Sequence, residues 1–302
     1  MRTVHSEQVT WIDLENPTAD ELGTLARDYR LHPVVAGELL KPTFRPKVED
    51  YDHFLYLILH FPVYDARGAD HGREIDFIIG KNFLITTHYH KSAVLDSCMA
   101  LIRDETSAHV TYLSKDTGKL LYNILSHLFA ESLHELEIMD KKITRMSNRI
   151  FTEHSKNMVK PISVLRREVL DFRRAVQPQE SVLTSLEEQG RKFYGKEMAP
   201  YLNNIIGDYL RVWHMLENHK ETVEALHETN GSLISTRTAE ITKNLTIMAF
   251  ITFPLTLIAS LFGMNTKVLP LVGMPHDFWI IIGIMMTGIV GMFLLFRHKR
   301  WI

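Results

Sequence analysis

Apolar and polar positions divide the chain into three stretches of different rhythm. Near the C-terminal end, two runs, Leu245 to Phe262 and Phe278 to Phe296, contain no charged residue. Each comes close to the ~20 residues that cross a ~30 Å hydrocarbon layer, so both predict transmembrane helices. Upstream, from about Lys115, Leu120, Leu121, Ile124, Leu125, Leu128, Leu133, Leu136 and Ile143 recur at spacings of three and four, predicting a long amphipathic helix. A second helical segment contains Ile162 to Val176 and breaks near Pro178. A third starts near Tyr201 and meets no proline until Pro254. Carried on to Phe262, about 62 residues at 1.5 Å each make a rod of roughly 90 Å. Gly231 is its weakest point, because glycine inside a helix costs about 1 kcal/mol relative to alanine.

The first 110 or so residues alternate differently and read as α/β. Val9 to Leu14 has strand character, and Asn16-Pro17-Thr18-Ala-Asp20-Glu21-Leu22 is a helix start with acids in the first turn. Phe54 to Phe61 is too apolar and too short for a surface helix and predicts a buried strand. Glu74 to Gly80 and Phe83 to His90 are two further strand-like runs, joined at Lys81-Asn82 as a hairpin. Ser92 to Glu105 reads as a helix. The expected organisation is residues 1–110 as a cytosolic α/β domain, 111–240 as a long-helix stalk region, and 241–302 as a transmembrane hairpin with a basic tail.

Composition narrows the function classes. The 302 residues carry a formal charge of −2, so there is no global basic bias towards nucleic acid. Cys98 is the single cysteine, which excludes an intrachain disulfide and a cysteine-built zinc cage and fits a reducing cytosol. Met1 to Glu7 lacks the apolar core of a signal peptide, so insertion is expected to be directed by the C-terminal hairpin. Arg237 and Lys243 precede the first apolar run, and Arg297, His298, Lys299 and Arg300 follow the second. The loop between them holds Lys267 balanced by Asp277, so both ends are expected on the cytoplasmic side. Trp279 and Trp301 are placed to anchor the second helix at the two interfaces. There is no glycine-rich phosphate loop, nucleophile elbow or HExxH, which argues against an ATP-driven pump or an enzyme. His88 with His90, and His127 with His134, could share faces, but structural metal sites want four converging ligands and none converge here.

Within the first apolar run, Ala249, Thr252, Thr256, Ala259 and Gly263 recur at spacings of three and four along one stripe. Small residues let membrane helices approach closely, so the stripe fits helix packing. It equally fits a pore lining, where hydroxyls and a narrow wall face water. Gly263-Met264-Asn265 stands at the outer end of the same run, where an amide is costly unless it faces water or a partner. Gly263 is expected to end the helix in the left-handed conformation and to leave room for close approach. Asn265 offers a neutral oxygen. Mg²⁺ gives up water reluctantly and prefers octahedral oxygen, so neutral oxygens suit hydrogen bonding to the waters of a hydrated ion. Full carboxylates there would bind too tightly for easy release.

The stretch from Leu245 through Pro254 to Gly263-Met264-Asn265 resembles the first transmembrane helix of the CorA family of divalent-cation channels. The ending Lys299-Arg300-Trp301-Ile302 is similar to that family's basic tail. Trp11-Ile-Asp-Leu14, Arg45-Pro46-Lys47-Val48-Glu49 and Phe83-Leu-Ile-Thr86 resemble recurrent stretches of its cytosolic domain. The resemblance implies a funnel-shaped homopentamer in the cytoplasmic membrane, with five long helices around one pore and passive, potential-driven uptake of Mg²⁺. No nucleic-acid or ATP-binding partner and no covalent cofactor is implied; the membrane lipid is a partner, and Mg²⁺ is both cargo and candidate regulatory ligand.

Position by position, the resemblance implies that Gly263, Met264 and Asn265 form the outer filter and that Thr256 forms a polar ring below it. It also implies that Thr252, Ala249, Leu245 and Thr242 line the pore, with Leu245 as an apolar constriction. The sequence departs from the family at Ala239, where many members have asparagine, and at Thr242, where a bulky apolar residue is common. Asn204 stands where a regulatory aspartate is known, which leaves Asp208 and Glu228 as candidates for sensing internal Mg²⁺. The outer loop offers Met274-Pro275-His276-Asp277, with Asp277 as its main cation-attracting charge. Two other readings stay open: a relative moving Zn²⁺, Co²⁺ or Ni²⁺, and a non-conducting membrane-anchored scaffold.

Overall fold

The computed structural model describes residues 1–6, 8–43, 45–62, 73–104, 116–152, 155–264 and 270–299, with backbone alone at 104, 152 and 155–157. The chain divides into two compact units, Met1–His227 and Glu228–Ile302.

Among the described residues of the first unit, one six-stranded sheet runs in the order β1-β2-β6-β5-β4-β3. The strands are β1 (Arg2–His5), β2 (Thr10–Glu15), β3 (Lys47–Asp50), β4 (Phe54–Phe61), β5 (Arg73–Gly80) and β6 (Phe83–His88). β2 and β6 pair in parallel and the remaining neighbours are antiparallel. β4 is buried along its whole length, as its unbroken apolar run requires of a strand covered on both faces. Phe54, Tyr56 and Ile58 pack with Leu22, Leu25, Val35 and Leu39 in one core cluster. Those leucines and Val35 come from α1 (Ala19–Asp28) and from α2 (Pro33–Glu38) with its C-cap. Thr18 and Glu21 close a capping box at the start of α1, as the sequence signalled. The β5–β6 hairpin forms as expected. Gly80 is required there, because a Cβ would fall 2.2 Å from the Phe83 ring. The run expected to reach His90 stops at His88, whose Nδ1 meets the His90 carbonyl at 2.6 Å.

The opposite face of the sheet is covered by helices. These are α3 (Ala93–Asp104), α4 (Thr117–Thr152), α5 (Ser155–Val176) and α6 (Gln179–Tyr194). Phe61, on that face, meets Phe129 of α4 edge-on at 5.4 Å. α7 (Ala199–Phe262) then runs 64 residues without a break, passing through Gly231. Its buried residues Leu202, Ile205, Tyr209, Val212, Leu216, His219, Val223 and Leu226 alternate spacings of three and four, a seven-residue seam against the first unit. After the outer loop, α8 (Asp277–His298) forms the second apolar helix.

Two buried polar groups of opposite character sit within the sheet. Asp13 of β2 is fully buried and accepts from Arg2 Nε at 3.2 Å, from the Thr86 hydroxyl, and from His88 Nε2 at 3.3 Å. Burial works against its charge, but His88 first, then Thr86 and Arg2, outweigh burial and hold the carboxyl below its usual range. Both His88 nitrogens face acceptors, and Asp13 raises its pKa despite the opposing burial. Asp76 of β5 is different. Burial, then the charge of Glu74, push its pKa up to about 8, against hydrogen bonds from Thr87 and Tyr89. Its Oδ1 has no hydrogen-bond partner among the described residues.

These environments give opposite pH signatures. A raised carboxyl pKa favours the fold below its unfolded value of about 3.9, and this contribution is lost as pH rises to about 8. Asp76→Asn should therefore flatten the stability decline between pH 4 and 8. A gain of even 2 kcal/mol at pH 8 would raise the melting temperature by about 4–8 °C. Asp13 acts in the other sense: its contribution is present above about pH 3.9 and lost on acidification. Asp13→Ala strands a buried histidine and should cost about 3–5 kcal/mol at neutral pH. Thermal melts followed by circular dichroism across pH check both outcomes.

Candidate functional site

The C-terminal half of α7 and the whole of α8 are long and apolar enough to cross a membrane. Within their apolar windows only 6% and 0% of residues are buried. A core helix of a soluble protein would be largely covered, whereas Phe253 is 76% exposed and Trp279 is 68% exposed. A contiguous apolar surface of this size requires lipid or further helices around it.

α7 carries two lines along this segment. Ile247 is buried, and Ile251, Pro254, Leu255, Ile258 and Phe262 are half-buried, so they mark the shielded side. Ile247, Ile251, Pro254 and Ile258 continue the seven-residue register of Leu202 to Leu226, a register in which Asn230 is buried as well. About 130° around the helix lies a second line: Thr242, Leu245, Ala249, Thr252, Thr256, Ala259 and Gly263. Its spacings alternate three and four throughout, and every member is exposed. Such a repeat presents a straight seam to neighbouring helices, as in a coiled coil. Glu228, two heptads before Thr242, falls on the same register and is exposed. The unbroken helix through Gly231 carries the register of the stripe back to Glu228.

The hydroxyls on this helix have a defined polarity. Thr256 Oγ1 donates to the Thr252 carbonyl at 2.9 Å, and Thr246 Oγ1 donates to the Thr242 carbonyl at 2.7 Å. With its one proton directed at the backbone, the Thr256 oxygen keeps only lone pairs for an outward partner. It is set to accept from water or to face a cation.

At the outer end, Gly263 does not take the left-handed conformation expected of it, since the glycines with positive φ are Gly195 and Gly273 among the described residues. Its N–H continues the helix to the Ala259 carbonyl at 2.9 Å. A Cβ at Gly263 would lie 3.1 Å from that carbonyl, so glycine serves tight backbone packing there. Met264 is exposed, and Asn265 lies outside the described residues. Asp277 is the first residue of α8. Its carboxylate accepts from Gly273 N at 3.1 Å and from Phe278 N at 2.7 Å, so it holds the loop as well as carrying charge.

The regulatory candidates separate. Asp208 is mostly covered and pairs with Arg211 at 3.4 Å; burial raises its pKa, against Arg211 and Ser126. Asn204 Nδ2 donates to the Tyr122 hydroxyl at 2.8 Å. The histidine pairs do not converge: His88 is held by Asp13, and His127 bonds the Asn123 carbonyl. Among the described residues no group of three His, Cys, Asp or Glu side chains could hold a metal ion. The hydroxyls of Thr242, Thr252 and Thr256 instead recur along one exposed line of α7.

The family model described as CorA-like Mg2+ transporter protein matches residues 6–299. The chain belongs to the CorA-like family. It is thus a member of a family of divalent-cation transporters and not an enzyme. The cobalt/magnesium transport protein CorA of Thermotoga maritima is 25% identical over 98% of this chain and 84% of its own length. The putative metal ion transporter YfjQ of Bacillus subtilis is 23% identical, over 96% of this chain and 89% of its own. Among solved structures, the complete CorA magnesium transporter from Methanocaldococcus jannaschii superposes with a TM-score of 0.87 at 22% identity, covering 100% of this chain and 95% of that one. The full-length CmaX protein superposes with a TM-score of 0.76 at 16% identity, covering 97% of this chain and 89% of that one. The CorA-like architecture of α/β domain, long helix and apolar helical pair thus holds across the chain.

The open seam of this CorA-like chain makes one prediction about assembly. Ala259→Leu puts a bulky side chain on the line, and overpacking typically costs about 1–3 kcal/mol per site. Native mass spectrometry should show the wild-type oligomer weakened or lost in the variant, while Phe253→Leu, off the line, should keep it.

Proposed function

We propose that the chain assembles as a homopentamer in the cytoplasmic membrane, both termini cytoplasmic, and passively conducts hydrated Mg²⁺ through one central pore. The observation that carries this reading is the exposed line from Thr242 to Gly263, set away from the side that α7 shields. In a ring of identical helices that line faces the axis. Residues 1–110 form the cytosolic α/β domain in this reading, 111–240 the stalk region, and 241–302 the membrane hairpin.

Asn265, with Gly263 and Met264, forms the outer filter. Its amide oxygens accept hydrogen bonds from the waters of a still-hydrated ion, which Mg²⁺ releases reluctantly. Thr256 and Thr252 repeat the same chemistry deeper in, Ala249 keeps the ring narrow, and Leu245 with Thr242 forms the inner constriction. Asp277 adds negative charge at the outer mouth. A divalent ion gains about 4.6 kcal/mol for every 100 mV of inside-negative potential. That drives uptake without ATP. The Thermotoga maritima relative is named for cobalt as well as magnesium, which supports Co²⁺ as a second cargo.

Uptake into proteoliposomes across Mg²⁺, Co²⁺, Ni²⁺ and Zn²⁺ tests the reading. A hydrogen bond around a charged group contributes about 1.5–3 kcal/mol, so Asn265→Ala should cut Mg²⁺ flux roughly 10- to 100-fold at unchanged oligomer size. Thr256→Val keeps the shape and should lose less, roughly 2- to 10-fold. Lys267→Gln should stay near wild type. Full uptake by an assembled Asn265→Ala protein would remove the reading.

Internal Mg²⁺ sensing follows from the same assignments. Asp208 is committed to Arg211, and Asn204 carries no charge, so flux should change little between low and millimolar internal Mg²⁺. Asn204→Asp should sharpen the response. A steep wild-type response that disappears in Glu228→Gln would move the sensor to the open line of α7.

A further inference from the structure

The helical pair of α4 and α5 has a charge unlike the rest of the chain. Between positions 141 and 174 there are ten Lys and Arg against three Asp and Glu, in a protein whose formal charge is −2. Near the end of the pair the two helices enclose a groove of about 470 Å³. Lys142, Arg145 and Arg149 of α4 and Lys160 of α5 line it, over a floor that includes Met146 and Leu165. One acid, Glu168, also lines it and meets Lys142 Nζ at 3.3 Å. Among the described residues lining it, four are cations and one is an acid, so the lining carries an excess of positive charge.

Charge alone would suit any anion, but apolar exposure accompanies it. Phe151 is 68% exposed, Val159 is 43% and Val164 is 47%, all at the same end of the helical pair. Val164 itself lines the groove. A soluble phosphate gains nothing from such side chains. An amphiphile with a phosphate head gains from both, since basic residues engage the phosphate while aromatic and branched side chains enter the acyl boundary. Arginine adds geometric fit, because its planar fork binds phosphate oxygens two at a time.

We propose that this groove binds the headgroup phosphate of an anionic phospholipid, with Lys142, Arg145, Arg149 and Lys160 as the phosphate ligands and Val164 as the acyl contact. The site is separate from the ion pathway and does not depend on it.

The test uses the full chain in neutral detergent, carrying Phe151→Cys, beside the groove and exposed, labelled with a polarity-sensitive dye. Cys98 stays unlabelled, because it is buried and burial pushes its thiol pKa up to about 11. Short-chain phosphatidylglycerol should blue-shift the dye at a concentration at least about tenfold below that needed for phosphatidylcholine. Replacing the four cations with glutamine should abolish the preference, while Lys192→Gln on α6 should retain it. Circular dichroism and native mass confirm that the variant is folded and assembled. Equal responses to both lipids would overturn the proposal. So would inorganic pyrophosphate competing at the same concentration as phosphatidylglycerol, which would make the groove a soluble-anion site. Loss of the oligomer in the four-residue variant would instead make this face a subunit contact and overturn it as well.

Discussion

A backbone amide surrounded by hydrocarbon has no partner except its own helix. This constraint decides what the membrane segment of α7 can offer to an ion. Within α7 the backbone carbonyls serve the helix itself, so polar atoms that could face a partner come from side chains. Thr252 and Thr256 carry hydroxyl oxygens on the exposed line of this segment. The hydroxyl bond from Thr256 to the Thr252 carbonyl fixes which way the dipole points. The Thr256 oxygen is left with lone pairs directed away from that carbonyl.

The same long helix serves two surroundings by keeping two registers. One line is buried within the first unit from Leu202 to Leu226, and the same register is the shielded side at Ile247 to Ile258. The other is exposed from Glu228 to Gly263 and keeps small or hydroxylated residues where close neighbours would sit. A helix that holds a seven-residue rhythm in both lines is suited to symmetric packing, since each turn repeats the same contact.

What the sequence made legible follows physical range. Apolar runs, the three-and-four spacing and the Lys81-Asn82 turn are local, and each marks the element the structure contains. The short edge strands β1 and β3 are not marked, because Arg2-Thr-Val-His5 and Lys47-Val-Glu-Asp50 have no apolar alternation of their own and gain order only by pairing. Nothing local in the sequence marks Asp13 and Asp76 as buried, and the partners of Asp13 lie up to 75 residues away. Of the two expectations for Gly263, the left-handed conformation does not occur, and a Cβ there would crowd the Ala259 carbonyl of the preceding turn. At the site, the stripe of small residues was visible in the spacing. Its continuation to Glu228 needed the unbroken helix through Gly231.

The parallel pairing of β2 with β6 also has a consequence in time. The central sheet cannot close until His88 has left the ribosome, because Asp13 and its partners span that distance. The first apolar helix begins at Leu245. At 5–20 residues per second, the roughly 150 residues between them take about 8 to 30 s to make. During that interval the sheet can pair and the α3–α6 layer can settle before any membrane segment is exposed. Translation order thus separates closing a water-soluble core from handing a greasy hairpin to the insertion machinery, and the two tasks never compete for the same nascent chain.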